Sequence, residues 1–386
     1  MPKLDLPLGS VSLGQFLRRH WQRRPLLVRQ AIAGFASPVS PAELYELAGR
    51  DEVESRLITS AGDRWRLDRG PFDAGGLPSL RRKHWTLLVQ GVDQQLDRVH
   101  QLLGRFRFIS DARLDDLMIS IAGDGGGVGP HLDSYDVFLL QASGRRRWRW
   151  GPTDPRHPPA FKTGLPLKIL QRFEPAHEAI LEPGDLLYLP PGVAHEGSAV
   201  GACMTFSIGF RAPSRLEYLR AWLGDAADGI TGADPRYVDH GRIATSTPAE
   251  IPLSLDRQLA RWARSWRPTE RELHRFNGRF LTEPKANVWF EPPARKLGPL
   301  PFARHAARHG LRIDRRTRIA YRGRDLFING ECFPGAAVQS MRSLADGRAM
   351  RGEVLADAMK DSAIAGLLHQ WWAQGWIKTE IAVQKS

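Results

Sequence analysis

Between residues 115 and 211 the period of the chain is two: short apolar runs alternate with turn-forming Gly, Pro and Asp. This pattern constrains the fold more than any other feature. Alternation at every second residue marks a strand with one buried face. The stretches "LDDLMISIAG", "SYDVFLLQA", "RRRWRW", "HEAILEPGDLLYLPPGVAHEG" and "ACMTFSIGFRA" therefore predict successive strands of an antiparallel barrel or sandwich.

The flanks read differently. The first ninety residues carry helix-start signals: Ser12 with Gln15, then Ser40 with Pro41 and Glu43, closed by Gly49. Between them "RPLLVRQA" predicts a short strand. After Arg211 helices return, with Ser214/Glu217 and Thr269/Glu272 as capping boxes and Leu255, Leu259, Trp262 and Trp266 on one stripe. This stripe suits either a helical layer over the chain's own barrel or a second copy of the chain. The Pro-rich "EPPARKLGPLP" predicts a linker, and "DLFINGECF" a hairpin turning at Asn329-Gly330. The helical segments "GEVLADAM" and "AIAGLLHQWWAQG", then the strand "WIKTEIA", predict a small C-terminal domain of winged-helix type. The fold class is thus α+β, a β core flanked by helical regions.

Within the β region, "GGGVGPHLDSYDVFLL" places His131 and Asp133 two residues apart. On a strand both project from one face, with Leu132 on the other, and supply two corners of a metal site. The segment "GDLLYLPPGVAHEG" matches the second cupin signature, from Gly184 through Pro190 and Gly192 to His195. Gly184-Asp185 turns, "LLYLP" returns as a strand, and "PPG" bends the chain so that His195 faces inward. Two His and one Asp form the facial triad of non-haem Fe(II) oxygenases, which leaves positions for a co-substrate and dioxygen. His157 and His177 lie between the two motifs without that strand-turn context, so both read as loop or surface residues.

Such a site needs a cation for a carboxylate co-substrate. In "RRRWRW", Arg145, Arg147 and Arg149 share one face while Arg146, Trp148 and Trp150 share the other. Tryptophans prefer the interior, so Arg146 is the arginine expected to turn inward, and its planar fork suits a carboxylate.

These stretches, with "FLRRHWQRRPLLVRQA", "DEVESRLI" and "DDLMIS", closely resemble the bacterial JmjC-domain ribosomal oxygenases. The resemblance implies Fe(II), with 2-oxoglutarate and dioxygen as co-substrates, and hydroxylation of an arginine side chain in the sixteenth large-subunit ribosomal protein. It implies a double-stranded β-helix (jelly-roll, cupin, JmjC) core with N-terminal helices over 1–211. A helical dimerisation region would follow over 212–284 and a winged-helix-like domain over 285–386. By position, His131, Asp133 and His195 correspond to the iron ligands, Arg146 to the residue pairing with the distal carboxylate of 2-oxoglutarate, and Ser120 to a further co-substrate contact. Eukaryotic relatives, which hydroxylate histidines, use lysine where Arg146 stands.

Composition sets the remaining bounds. The 386 residues carry a formal charge of +13, compatible with nucleic acid or acidic partners but decisive for neither. Two cysteines, Cys203 and Cys332, exclude a disulfide framework. With no secretory pattern at the start and no long apolar run, they predict a cytoplasmic protein. The competing readings are a related oxygenase acting on histidine, lysine or a small molecule, a winged-helix nucleic-acid-binding regulator, and a structural protein with a vestigial barrel.

Overall fold

The computed structural model describes residues 7–379 apart from 63, 74, 153–158, 230–234, 239, 242, 243, 245 and 266. Trp266, expected on a helical stripe, and His157 lie outside the described residues.

The core is one antiparallel sheet of β1 (Leu26–Val28), β2 (Ser55–Ala61), β3 (Arg64–Arg69), β4 (Trp85–Val89), β5 (Leu114–Ala122), β6 (Asp136–Gly151), β7 (His177–Leu181), β8 (Leu186–Leu189) and β9 (Ala194–Phe210). The order is β1-β8-β6-β9-β5-β4-β2-β3, with β7 added on β6. Its outer face carries Phe138, Leu140, Phe206, Ile208 and Phe210, packed with Phe16 of α1 (Leu13–Arg19) and Leu44 of α2 (Pro41–Ala48). Both helices begin at the predicted capping boxes. The inner face carries Val137, Leu139, Leu187 and Leu189 with Trp148 and Trp150.

The first ninety residues hold more strand than expected. β2, β3 and β4 extend the sheet beyond β5, and α3 (Asp97–Gly104) follows them. All five residues of β4 are buried, so a strand covered on both faces shows no alternation to betray it.

Packing divides the chain into two compact units: Met1–Ala212 with Pro284–Arg318 and Ser343–Ser386, and Pro213–Glu283 with Ile319–Arg342. In the second, α4 (Arg215–Asp228) meets α6 (Glu270–Thr282) through Trp222, Phe276 and Phe280, and α5 (Leu253–Ser265) lies between them in sequence. The first unit also holds α7 (Pro299–His309), which starts inside the expected linker. Gly298 is its N-cap, and the prolines of its first turn sit where no backbone N–H is needed.

β10 (Leu311–Ile313) belongs to the first unit. The second contains β11 (Ile319–Arg322), β12 (Asp325–Ile328) and β13 (Glu331–Phe333), with the predicted turn at Asn329 (φ 49°) and Gly330 (φ 83°). Next come α8 (Gln339–Gly347), β14 (Ala349–Met350), α9 (Gly352–Lys360), α10 (Ser362–Ala373) and β15 (Ile377–Thr379), and β14-β10-β15 form a small sheet. Among the described residues no helix is long and apolar enough to cross a membrane.

Candidate metal centre

His131 and Asp133 do not lie on a regular strand as expected. β6 begins only at Asp136, and His131 makes an isolated bridge to His195, each N–H donating to the other's carbonyl at 3.0 Å. Along the other edge of β9 His195 faces Trp150, so His131, His195 and Trp150 stand in one row. Asp133 is held differently: Gly192, at φ 79°, donates its N–H to the Asp133 carbonyl at 2.9 Å. The "PPG" bend therefore places both His195 and Asp133. The glycine run before His131 also has a physical cause. A Cβ on Gly126 would lie 2.0 Å from the Trp85 carbonyl oxygen, and one on Gly127 2.3 Å from that of Gly197. Only bare backbone passes there.

One ligand atom from each of His131, Asp133 and His195 falls within 4.8 Å of the others, the one such group of three among the described residues. Each imidazole Nδ1 faces a carbonyl at 2.9 Å, His131 toward Gly129 and His195 toward Val193. A carbonyl only accepts, so Nδ1 carries the proton and the Nε2 lone pair is left for a cation. His195 Nε2 lies 3.6 Å from Asp133 Oδ2. Burial, with His131 beside it, holds the His195 imidazole neutral with a pKa of about 3, the form that ligates. Burial raises the Asp133 carboxyl, against its neighbour His131 and a hydrogen bond from the Tyr135 hydroxyl. A bound cation would reverse that rise. Ligand type, free lone pairs and spacing all fit a first-row divalent metal.

On β6 the two faces separate as the alternation predicts: Arg146, Trp148 and Trp150 are buried, while Arg145 and Arg147 are exposed. Arg146 Nη1 donates to Ser120 Oγ at 3.1 Å, while its buried Nε has no partner among the described residues. Ser120 in turn donates to the Thr205 carbonyl at 3.3 Å, and Thr205 Oγ1 to Gln141 Oε1 at 2.9 Å. Thr205, Gln141 and Tyr135 were not singled out from sequence. The register pairing Ser120 with Thr205 would have pointed to the first two, but β6 slips register around Ser143. His177 is exposed at the start of β7, its ring stacked on Trp150, and takes no part in the triad.

A JmjC domain model matches residues 101–218, and a ROXA-like winged-helix model residues 260–378. The chain is 34% identical over 365 residues to ribosomal protein uL16 3-hydroxylase of Escherichia coli, covering 93% of this chain and 95% of that one. It is 36% identical over 218 residues to a probable ribosomal oxygenase of Haemophilus influenzae, covering 56% of this chain and 52% of that one. The structure of the E. coli ribosomal oxygenase YcfD in complex with cobalt and 2-oxoglutarate superposes with a TM-score of 0.80 at 31% identity, over 96% of this chain and 99% of that chain.

Proposed function

This chain belongs to the JmjC-domain ribosomal oxygenases, and on that premise we propose that it is an Fe(II)- and 2-oxoglutarate-dependent dioxygenase that hydroxylates an arginine side chain of the large-subunit ribosomal protein uL16. The observation that carries the reading is the pairing of the compact His131, Asp133 and His195 triad with a buried arginine, Arg146, held by Ser120.

In this assignment His131 Nε2, His195 Nε2 and an Asp133 carboxylate oxygen hold the metal. Arg146 and Ser120 bind the distal carboxylate of 2-oxoglutarate, the Arg146 Nε, which has no partner among the described residues, being one available donor. When bound, iron supplies the dioxygen chemistry in which 2-oxoglutarate becomes succinate and carbon dioxide while one oxygen atom enters a substrate C–H bond. The chain's own share is orientation and dryness: Val137, Leu139, Leu187, Leu189, Trp148 and Trp150 make the inner wall apolar.

We further assign the catalytic domain to 1–211, a homodimerising helical region to 212–284 and the winged-helix-like domain to 285–386, in the cytoplasm. On α4, Leu216, Leu219 and Leu223 are 57%, 41% and 58% exposed at helical spacing, which supports a covered apolar face. The net charge of +13 supports approach to a substrate still associated with RNA.

The test is intact-mass spectrometry of uL16 after incubation with this protein, Fe(II), 2-oxoglutarate and air. The expected result is a gain of one oxygen, localised to an arginine. Incorporation at a histidine, or none, overturns the substrate assignment.

A further inference from the structure

The inner wall carries a polar group that neither ligates the metal nor pairs with Arg146. The indole Nε1 of Trp148 is buried and has no partner among the described residues. Its ring lies between the two ends of the proposed site. The centroid is 6.0 Å from that of His195, and the Arg146 guanidinium carbon stands over the ring, 5.6 Å from its centroid. The register explains the placement: His195 faces Trp150, Gly197 faces Trp148 and Ala199 faces Arg146, so Trp148 occupies the middle rung. Gly197 leaves room for the indole against β9, because a Cβ there would come within 2.8 Å of the ring. A dicarboxylate reaching from the metal ligands to Arg146 must pass alongside this ring. Buried donors are nearly always paired, and a lone N–H beside such a path points to a partner that arrives with the ligand.

The geometry points to Trp148 as a third co-substrate-binding residue, its indole N–H donating to an oxygen of bound 2-oxoglutarate and its ring walling the carbon chain. This rests on the reading of Arg146 and the triad given above.

The test uses the full chain loaded with Zn(II), so that no turnover intervenes. Calorimetric titration with 2-oxoglutarate is expected to show affinity falling about tenfold in Trp148→Phe, which keeps a ring but loses the donor. Trp148→His, which restores a ring N–H, is expected to recover part of the loss. In indole-15N-labelled wild-type protein, the resonance missing from the Trp148→Phe spectrum should shift downfield on adding 2-oxoglutarate. An affinity within twofold of wild type in Trp148→Phe, or an indole resonance that does not move, overturns the inference. Arg146→Met separates the two levels. If it too leaves affinity unchanged, the co-substrate reading itself fails; if it abolishes binding while Trp148→Phe does not, only the role of Trp148 fails.

Discussion

The guanidinium of Arg146 on β6 donates to the hydroxyl of Ser120 on β5, 3.1 Å away and 26 residues distant in sequence. Neither strand lies beside the other in the sheet; β9 runs between them, so the pair spans the inner face. A buried cation whose hydrogen-bond partner among the described residues is a neutral hydroxyl suits an incoming carboxylate. Arg146→Ala is expected to raise the 2-oxoglutarate KM by about 10- to 150-fold, the loss of a charged hydrogen bond worth roughly 1.5–3 kcal/mol. Ser120→Ala, which removes a neutral partner, is expected to raise it by about 2- to 13-fold, on the order of 0.5–1.5 kcal/mol. Initial rates against co-substrate concentration check both, and an unchanged KM in Arg146→Ala would remove Arg146 from the site.

Metal removal should be visible without turnover. A ligand bound only by the folded chain stabilises it by mass action. EDTA is therefore expected to lower the Tm of the metal-loaded wild type and to leave Asp133→Ala unmoved, since that variant lacks one of three ligands. Differential scanning calorimetry with and without chelator makes the comparison. An equal drop in the variant would mean that the stabilising metal sits elsewhere.

The glycine run before His131 yields a stability test. A Cβ on Gly127 would stand 2.3 Å from the Gly197 carbonyl oxygen, backbone that cannot rotate away. Gly127→Ala is expected to cost roughly 1–3 kcal/mol, as overpacking does, and to weaken metal binding by shifting His131. Gly75→Ala, where nothing among the described residues lies within 4 Å, is the control and should be near neutral. Chemical denaturation of the three proteins decides the matter.

Asp93 is buried, accepts from the Leu117 N–H at 2.8 Å, and is pushed up to about 7 by burial and by the nearby Asp116. Its folded value lies above the ordinary 3.8, so the folded chain holds the proton more tightly than the unfolded one. The associated stability is present in acid and lost as pH rises from about 4 through about 7. Asp93→Asn keeps an acceptor for Leu117 and cannot ionise. Its stability relative to wild type is expected to rise across that window, as read from urea midpoints at several pH values. A constant difference would show that Asp93 does not titrate there.

The site was legible where a short-range pattern had one physical meaning. Arg146 is an example, because alternation with Trp148 and Trp150 ties its direction to theirs. His131 and Asp133 were found for a partly wrong reason. They converge through the His195 bridge and the Gly192 clip, contacts more than 55 residues away in sequence, and not through strand alternation. Thr205 and Gln141 needed a cross-strand register that slips near Ser143, which no local pattern records. β4 was missed because both its faces are covered, and α7 because a proline cluster reads as a linker until its position in a first turn is known.

Leu216, Leu219 and Leu223 follow one another on α4 at helical spacing, and all three are exposed. Burying each would contribute roughly 1.5–3 kcal/mol, and a two-fold interface counts every contact twice. Leu219→Glu puts a charge at the middle of that face without removing any contact of the Trp222, Phe276 and Phe280 cluster. The variant is expected to run at half the wild-type mass in multi-angle light scattering, with an unchanged circular dichroism spectrum. A wild-type chain already monomeric at micromolar concentration, or a variant that stays dimeric, would take the proposed dimer off this helix.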